Sequence, residues 1–249
     1  MAKTIGQLTQ ATTLASGDEF VIEQSGLTKR VAASVVRGGL VNADIDAAAA
    51  IAFSKLAALD SANILVGNGS NVATKVAVTG DVTISNAGVV SLARPLTLAT
   101  SQATTSGTSI DFTGIPSWVK RITVLFNGVS TSGSSSVMVQ LGDSGGIETT
   151  GYTGSVDFIE DNGVGTTFSS GFLVDRSLGA ADVRSGQMQI ALIGSNVWIE
   201  TSTISDESTS MLLGAGRKTL SATLDRIRLT TVNGTDTFDS GSVNIMYEG

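Results

Sequence analysis

The strongest candidate for a catalytic nucleophile is Ser144 in residues 142–146, GDSGG. This segment matches two nucleophile patterns, Gly-Asp-Ser-Gly-Gly and Gly-x-Ser-x-Gly. Either pattern needs a base that takes the serine proton, usually histidine. The chain contains no His, and nothing in the sequence directs Lys120 or Lys218 toward Ser144. We therefore interpret the segment as a Gly- and Ser-rich loop after a strand, and we expect no enzymatic activity.

Residues 214–219, GAGRKT, partly match the P-loop that binds nucleotide phosphates. The match is poor because Arg217 separates the glycine from Lys218 and the first glycine of the pattern is missing. We interpret this segment as a turn between strands and expect no cofactor.

Two acidic clusters could hold Ca²⁺ or act as the carboxylate pair of a glycosidase. They consist of Asp157, Glu160 and Asp161, and of Asp206 and Glu207. Neither has the spacing of a calcium loop, and the chain has no Cys or His to bind a transition metal. Solvated loop carboxylates are the simpler interpretation, and we expect no metal.

Aromatic side chains could instead stack on sugars. Trp198, between Val197 and Ile199, has the pattern of a core residue, whereas Tyr152 is flanked by glycines and is the better exposed candidate. Together with Asp161 and Asn162 in a loop, Tyr152 is our candidate for receptor contact.

Composition narrows the class of protein. The chain has 249 residues, of which 41% are hydrophobic and 15% charged, as expected for a folded protein. Residues 1–97 contain seven basic and seven acidic side chains, whereas residues 98–249 contain eight basic and fifteen acidic ones. An acidic domain without a basic stripe argues against nucleic-acid binding. No run is apolar enough to insert into a membrane, and no signal peptide is evident, so we expect synthesis in the cytoplasm.

Residues 1–41 predict a small β-hairpin module, in which residues 19–22 and 28–31 form strands around a turn at residues 24–26. The apolar residues of these two strands are Phe20, Val21, Ile22 and Val31, and we expect them to anchor the module to a partner.

Residues 44–59, DIDAAAAIAFSKLAAL, are the longest segment of helical composition. Five of their apolar residues follow the a/d spacing of a heptad repeat, in the order Ile45, Ala49, Ala52, Leu56 and Leu59. Such a short helix is marginal alone, so we expect it to pack against copies of itself. Packing within one chain is the alternative.

The remaining chain is rich in strands. Residues 60–97 alternate apolar residues with glycines and have too few large side chains for a core of their own, which favours a β-rich shaft shared by several chains. Residues 98–249, the head, predict an antiparallel β-sandwich with a jelly-roll-like topology. Its predicted strands cover residues 108–112, 121–126, 137–141, 155–159, 171–174, 187–193, 197–204, 226–232 and 243–247, with Asn-Gly turns at residues 127–128, 162–163 and 233–234. The overall fold class is therefore mainly β.

Four segments carry a resemblance to a known family. Residues 4–36 resemble the virion-anchoring modules of tailed-bacteriophage fibre proteins, and residues 49–56 and 64–93 look like their shaft segments. Residues 109–122 and 229–249 are similar to C-terminal domains of phage and prophage structural proteins.

The resemblance implies a homotrimeric structural protein of the virion, a tail fibre or a head fibre. Residues 1–41 would bind other virion proteins, residues 42–97 would trimerise and space the fibre, and residues 98–249 would bind a glycan or protein of the host surface. A head fibre or capsid decoration protein is the alternative, and a depolymerising tailspike is a third possibility for which about 250 residues leave little room.

The heptad seam generates a direct test. If the helix holds a trimer, Leu56→Asp should dissociate the trimer, because three buried carboxylates would repel one another, and should leave the head folded. Sedimentation equilibrium and circular dichroism would measure the two effects. A variant that stays trimeric would contradict the seam.

Overall fold

The computed structural model describes residues 19–32, 45, 58–159, 165–176, 178–180, 182–207 and 210–249. Within these ranges the protein is mainly β and has no helix, so none that could cross a membrane. The chain divides into two compact units, residues 1–60 and 61–249.

The described residues form twenty strands. In chain order these are β1 Glu19–Gln24, β2 Leu27–Ala32, β3 Asn63–Gly67, β4 Ala73–Ala77, β5 Val82–Ile84, β6 Val90–Leu92, β7 Thr97–Leu98, β8 Gln102–Ala103, β9 Ser109–Thr113, β10 Arg121–Thr131, β11 Val137–Asp143, β12 Gly146–Ile147, β13 Tyr152–Phe158, β14 Thr166–Phe168, β15 Phe172–Leu173, β16 Arg184–Gly194, β17 Val197–Ser205, β18 Met211–Thr219, β19 Leu224–Thr231 and β20 Phe238–Glu248.

The N-terminal unit contains the predicted hairpin. Strands β1 and β2 pair antiparallel, with Phe20 opposite Val31 and Ile22 opposite Lys29 in the backbone register. Ser25 and Gly26 connect them with φ values of 56° and 72°, the two positive φ angles of a tight hairpin turn. Val21 of the predicted anchor is 68% exposed.

The predicted helix lies almost entirely outside the described residues, and with it Ala49, Ala52 and Leu56 of the proposed seam. Ile45 lies in a bend and is 45% exposed. Ala58 and Leu59 are not helical, so the prediction is wrong for the last two residues of its range. The Leu59 side chain is 48% exposed.

Residues 61–96 form two separate hairpins, β3 with β4 and β5 with β6. Asn68 closes the first turn, since its Oδ1 accepts hydrogen bonds from the Ser70 and Val72 amides at 2.9 and 3.0 Å. Large apolar side chains remain at least 39% exposed on these hairpins and their turns: Ile64, Leu65, Val66, Val72, Val76, Val89, Val90, Leu92 and Leu96. The segment therefore has no core of its own.

The head is built from two antiparallel sheets. The larger has nine strands in the order β14-β13-β18-β17-β16-β10-β20-β7, with β8 also paired to β20. The smaller has five strands in the order β12-β11-β19-β9, with β15 also paired to β11. Each of the nine strands predicted for the head overlaps a strand of the structure, but the predicted boundary at 97/98 falls inside β7.

Both sheets contribute to one hydrophobic core. Strand β9 shows the pattern, because Ile110 and Phe112 are buried while the residues between and beside them are exposed. Ile122 and Val124 of β10 and Leu229 of β19 belong to the same cluster. In β9 the period of two places one face in the core and the other in solvent, whereas every residue of β11 is buried.

Residues 214–219 are strand β18, not the predicted turn, because β18 pairs with β17 on one side and β13 on the other. Its glycines allow close packing of the core. A Cβ on Gly216 would lie 2.6 Å from Cζ of Phe168, and a Cβ on Gly214 would lie 2.4 Å from Oγ of Ser202.

Glu200 of β17 faces the core and is 1% exposed. In register it stands between Ile190 and Gly216. Within the described structure, neither carboxylate oxygen of Glu200 nor Oγ of Ser202 has a hydrogen-bond partner. Burial raises the pKa of Glu200 to about 7, and the nearby Ser202 hydroxyl lowers it only in part. A neutral carboxyl group is therefore favoured in the folded state.

Glu200 should make stability depend on pH. Its pKa rises from the ordinary glutamate value of 4.5 to about 7 in the fold, so its contribution is complete below pH 4.5 and is lost as the pH rises toward 7. The loss should reach about 3 kcal/mol in the free energy of unfolding.

Glu200→Gln keeps the shape and removes the titration, so its free energy of unfolding should fall less than that of the native protein between pH 4.5 and 8. Urea unfolding at several pH values would measure the difference. If the free energies of unfolding of the two proteins changed in parallel with pH, the result would contradict a raised pKa of Glu200 as the cause.

Candidate functional site

The head has two ends, and the chain joins it at one of them. Thr97 of β7 pairs with Tyr247 near the C-terminal end of β20. The chain then runs along β20 to its N-terminal end, where the Phe238 amide donates a hydrogen bond to the carbonyl of Gly107 at 2.8 Å. Residues 130–136, 175–176, 178–180, 182–183, 206–207, 210 and 232–240 lie at the opposite end, which we call the far end. The far end is therefore the part of the head most distant along β20 from the attachment of the chain.

Two loops of the far end are locked together by hydrogen bonds. The Asp236 carboxylate accepts from the Ser135 amide at 3.0 Å and from Nδ2 of Asn233 at 2.8 Å, and these bonds lower its pKa. The Thr237 amide donates to Oγ of Ser132 at 3.0 Å. A Cβ on Gly133 would lie 2.2 Å from Oδ2 of Asp236, so a larger residue there would displace this carboxylate. These loops present hydroxyl and amide groups in fixed positions.

A shallow groove of about 570 Å³ lies beside these loops, lined by Ser130, Ser132, Ala180, Val183, Asp239 and Ser240. The Ser130 hydroxyl donates to the Asp239 carboxylate. The groove offers hydrogen-bonding groups but no aromatic surface among these described residues.

A buried ion pair supports the loop whose described residues are 175–176, 178–180 and 182–183. Asp175 and Arg184 are both fully buried, and Nε of Arg184 donates to Oδ2 of Asp175. The Val137 amide also donates to Oδ2, at 3.1 Å, and Nη1 of Arg184 donates to the carbonyl of Asp182 at 3.0 Å. Burial raises the pKa of Asp175, and the charge of Arg184 opposes this shift. The pair ties the loop to the start of β11.

Tyr152 does not have the exposure predicted for receptor contact. It is 2% exposed, and its ring packs edge-on against Phe172 with centroids 5.0 Å apart. Its hydroxyl accepts from the Leu141 amide at 2.7 Å and lies 3.0 Å from the carbonyl of Glu148. These bonds satisfy the polar end of the ring inside the fold, and burial raises its pKa. Asp161 and Asn162, the other two candidates, lie outside the described residues.

Trp198 is 3% exposed, which confirms the prediction that it belongs to the core.

Ser144 occupies the two-residue turn between β11 and β12. Lys218, one of the two lysines considered as its base, forms an ion pair with Glu148 and donates to the carbonyl of Thr150 at 2.8 Å. Partial burial raises the pKa of Glu148, but hydrogen bonds from Lys218 and Ser221 outweigh it and leave the pKa lowered. Lys218 is therefore held in a charged, structural role.

The described members of the acidic clusters, Asp157, Asp206 and Glu207, interact with neighbouring groups, and Glu160 and Asp161 lie outside the described residues. Asp157 pairs with Arg176 at 2.9 Å, Asp206 accepts from the Ser210 amide at 3.0 Å, and Glu207 accepts from the Ser185 hydroxyl. In the described ranges no three acidic side chains come close enough together to suggest a metal site.

The polar contacts of β9 were not predicted from the sequence. Asp111 forms two hydrogen bonds of 2.7 Å with Arg228, one from Nε and one from Nη2, and the Asp111 carbonyl accepts from Nε2 of Gln102 at 2.8 Å. A groove of about 440 Å³, the edge groove, runs between this strand and β20 over the apolar floor of Phe112 and Ile245. Alternation in the sequence shows that Asp111 faces outward, but not that it meets Arg228.

The buried pair should show a strong asymmetry between single and double substitutions. Arg184→Met leaves the Asp175 carboxylate buried without its counter-charge and should lower the free energy of unfolding by about 3–5 kcal/mol. Asp175→Asn with Arg184→Met keeps an acceptor for the Val137 amide and removes both charges, so it should recover much of the loss. Urea denaturation of the two variants measures the difference. Equal destabilisation would show that the charge of Asp175 is not the cause.

Comparisons with protein-family models, with curated proteins and with solved structures find no match to this chain.

Proposed function

We propose that the protein is a non-enzymatic, homotrimeric fibre of a tailed-phage virion. Residues 1–41 attach it to the particle, residues 42–97 trimerise and space it, and residues 98–249 bind the host surface. The observation that carries the proposal is the exposure of apolar side chains on the hairpins of residues 61–96 in a single chain.

These hairpins cannot be stable by themselves. A lone two-stranded hairpin is marginal in water, and here the two hairpins belong to separate two-stranded sheets. Leu65, Val90 and Leu92 are 61%, 63% and 62% exposed. So many large exposed apolar side chains on short strands favour an interface with another chain.

Copies of the same chain are the partners that the sequence favours. Residues 1–97 are balanced in charge, with seven basic and seven acidic groups, so no net repulsion opposes their association. The heptad spacing in residues 44–59 directly precedes the hairpins and would hold three chains in register, as the resemblance to phage fibres implies.

The head supplies its own core, which suits a domain carried at the tip of a shaft. Its two sheets with a shared core support the β-sandwich, while the jelly-roll-like topology stays a prediction. The far end, with its fixed hydroxyl and amide groups, is the surface that a fibre joined at residue 97 would present outward.

Trimerisation is tested by mass. The trimer should sediment at about 76 kDa, three times the chain mass of 25.3 kDa. A species of 25.3 kDa at micromolar concentration would overturn the proposal.

The shaft allows a matched pair of variants on one strand. Leu92 and Ser91 are neighbours in β6 and are both exposed in the single chain, but the strand turns them to opposite faces. If Leu92 packs against another chain, Leu92→Asp should shift the protein from trimer toward monomer, and Ser91→Asp should leave it trimeric. Analytical ultracentrifugation of both variants measures the shift. Equal trimer fractions for Leu92→Asp and Ser91→Asp would show that Leu92 lies outside the interface.

The place of the fibre on the particle is tested separately. Electron microscopy of virions labelled with an antibody against the head should show label at the tail. Label on the capsid would instead identify a head fibre or decoration protein.

A further inference from the structure

We propose that a groove on the outer face of the five-stranded sheet binds an uncharged oligosaccharide. The groove measures about 370 Å³, and the residues that matter for recognition are Ser109, Met138, Gln140, Thr149, Arg228 and Thr230. We call it the polar groove. The inference rests on the proposed host-binding role of the head and names the site and the class of ligand.

Strand pairing fixes the floor of the polar groove. Ser109, Thr230 and Met138 lie opposite one another across β9, β19 and β11. Asp111, Arg228 and Gln140 form the next row on the same face. Because these side chains stand on paired strands, little conformational entropy is lost when a ligand binds.

The hydrogen-bonding groups of the polar groove are held in defined orientations. Nε2 of Gln140 donates to the carbonyl of Ser170 at 2.9 Å, which sets the plane of its amide. The Thr230 hydroxyl donates to the carbonyl of Thr108 at 2.8 Å, so its oxygen is left to accept. Gln140 is 4% exposed and Thr230 is 7% exposed, so both lie at the bottom of the groove.

Among the described residues, Arg228 is the only charged side chain that lines the polar groove, and Asp111 neutralises it through two hydrogen bonds. These bonds raise the pKa of Arg228. An anionic ligand would have to compete with Asp111 for the guanidinium group and approach a head with fifteen acidic and eight basic side chains. The electrostatics therefore favour an uncharged ligand.

The chemistry of the lining matches a sugar. Hydroxyl, amide and guanidinium groups can exchange hydrogen bonds with sugar hydroxyls, and the side chains of Met138 and Val232 offer apolar contact for C–H groups. A volume of about 370 Å³ is in the range of small-molecule sites and accommodates a short oligosaccharide. Val232 and Asn233 place one end of the polar groove at the far end of the head, where a carried head would meet a surface.

Two tryptophan substitutions on one strand can test the site. Ser109 and Thr113 are both exposed on the outer side of β9, but Ser109 lines the polar groove and Thr113 lines the edge groove. Ser109→Trp should fill the polar groove, and Thr113→Trp should leave it open. Both proteins should first be shown to sediment like the native protein and to unfold at the same urea concentration within error.

The probe is an array of neutral hexose and N-acetylhexosamine oligosaccharides printed beside their carboxylated and sulfated counterparts. We expect the native protein to bind neutral members, Ser109→Trp to weaken that binding at least tenfold, and Thr113→Trp to bind like the native protein. Binding to acidic members alone, loss through Thr113→Trp instead of Ser109→Trp, or no binding to any member would overturn the inference. A correct trimer mass with any of these outcomes would reject the polar groove and leave the fibre proposal standing.

Discussion

The structure depends on one requirement, that apolar side chains be covered from water. The head and residues 61–96 differ in how far a single chain satisfies it. In the head, alternate residues of two sheets form a shared core, with Ile122 and Leu141 fully buried. In residues 61–96 the strands have three to five residues each and pair only two at a time, so no second layer covers them within the described chain. The head therefore covers its apolar side chains within one chain, whereas residues 61–96, which precede it, do not. The proposal of a multi-chain shaft follows from that contrast.

Alternation of apolar and polar residues was enough to predict where most strands of the head lie, because each strand has one buried face. It failed where tertiary contacts override local preference. Gly214 and Gly216 suggest a turn by themselves, yet β18 needs them because Phe168 and Ser202 leave no space for a Cβ. Asn127-Gly128 likewise suggests a turn, but it forms an irregularity inside β10, which pairs with strands on both sides.

The candidate site was harder to predict, since binding surfaces are assembled from residues that are distant in sequence. Tyr152 was expected at the surface because glycines flank it, but partners for its hydroxyl at Leu141 and Glu148 allow the whole ring to be buried. Asp111 and Arg228 are 117 residues apart, and only the pairing of β9 with β19 brings them together. Residue type and spacing cannot show such a pair without the sheet topology.

Most basic side chains of the head form ion pairs with carboxylates of the head itself. This pairing limits the ligands that the surface of the head would favour. At least six of its eight basic residues form ion pairs: Arg121, Arg176, Arg184, Lys218, Arg226 and Arg228. The charge left over is acidic, which disfavours polyanions, so the proposed recognition of a host surface would depend on neutral hydrogen bonds. Such bonds contribute only about 0.5–1.5 kcal/mol each, so one head would bind a sugar weakly. In the proposed trimer, three heads on one shaft would convert weak binding into avidity through effective concentration, which is the physical reason to couple a neutral groove to a trimer.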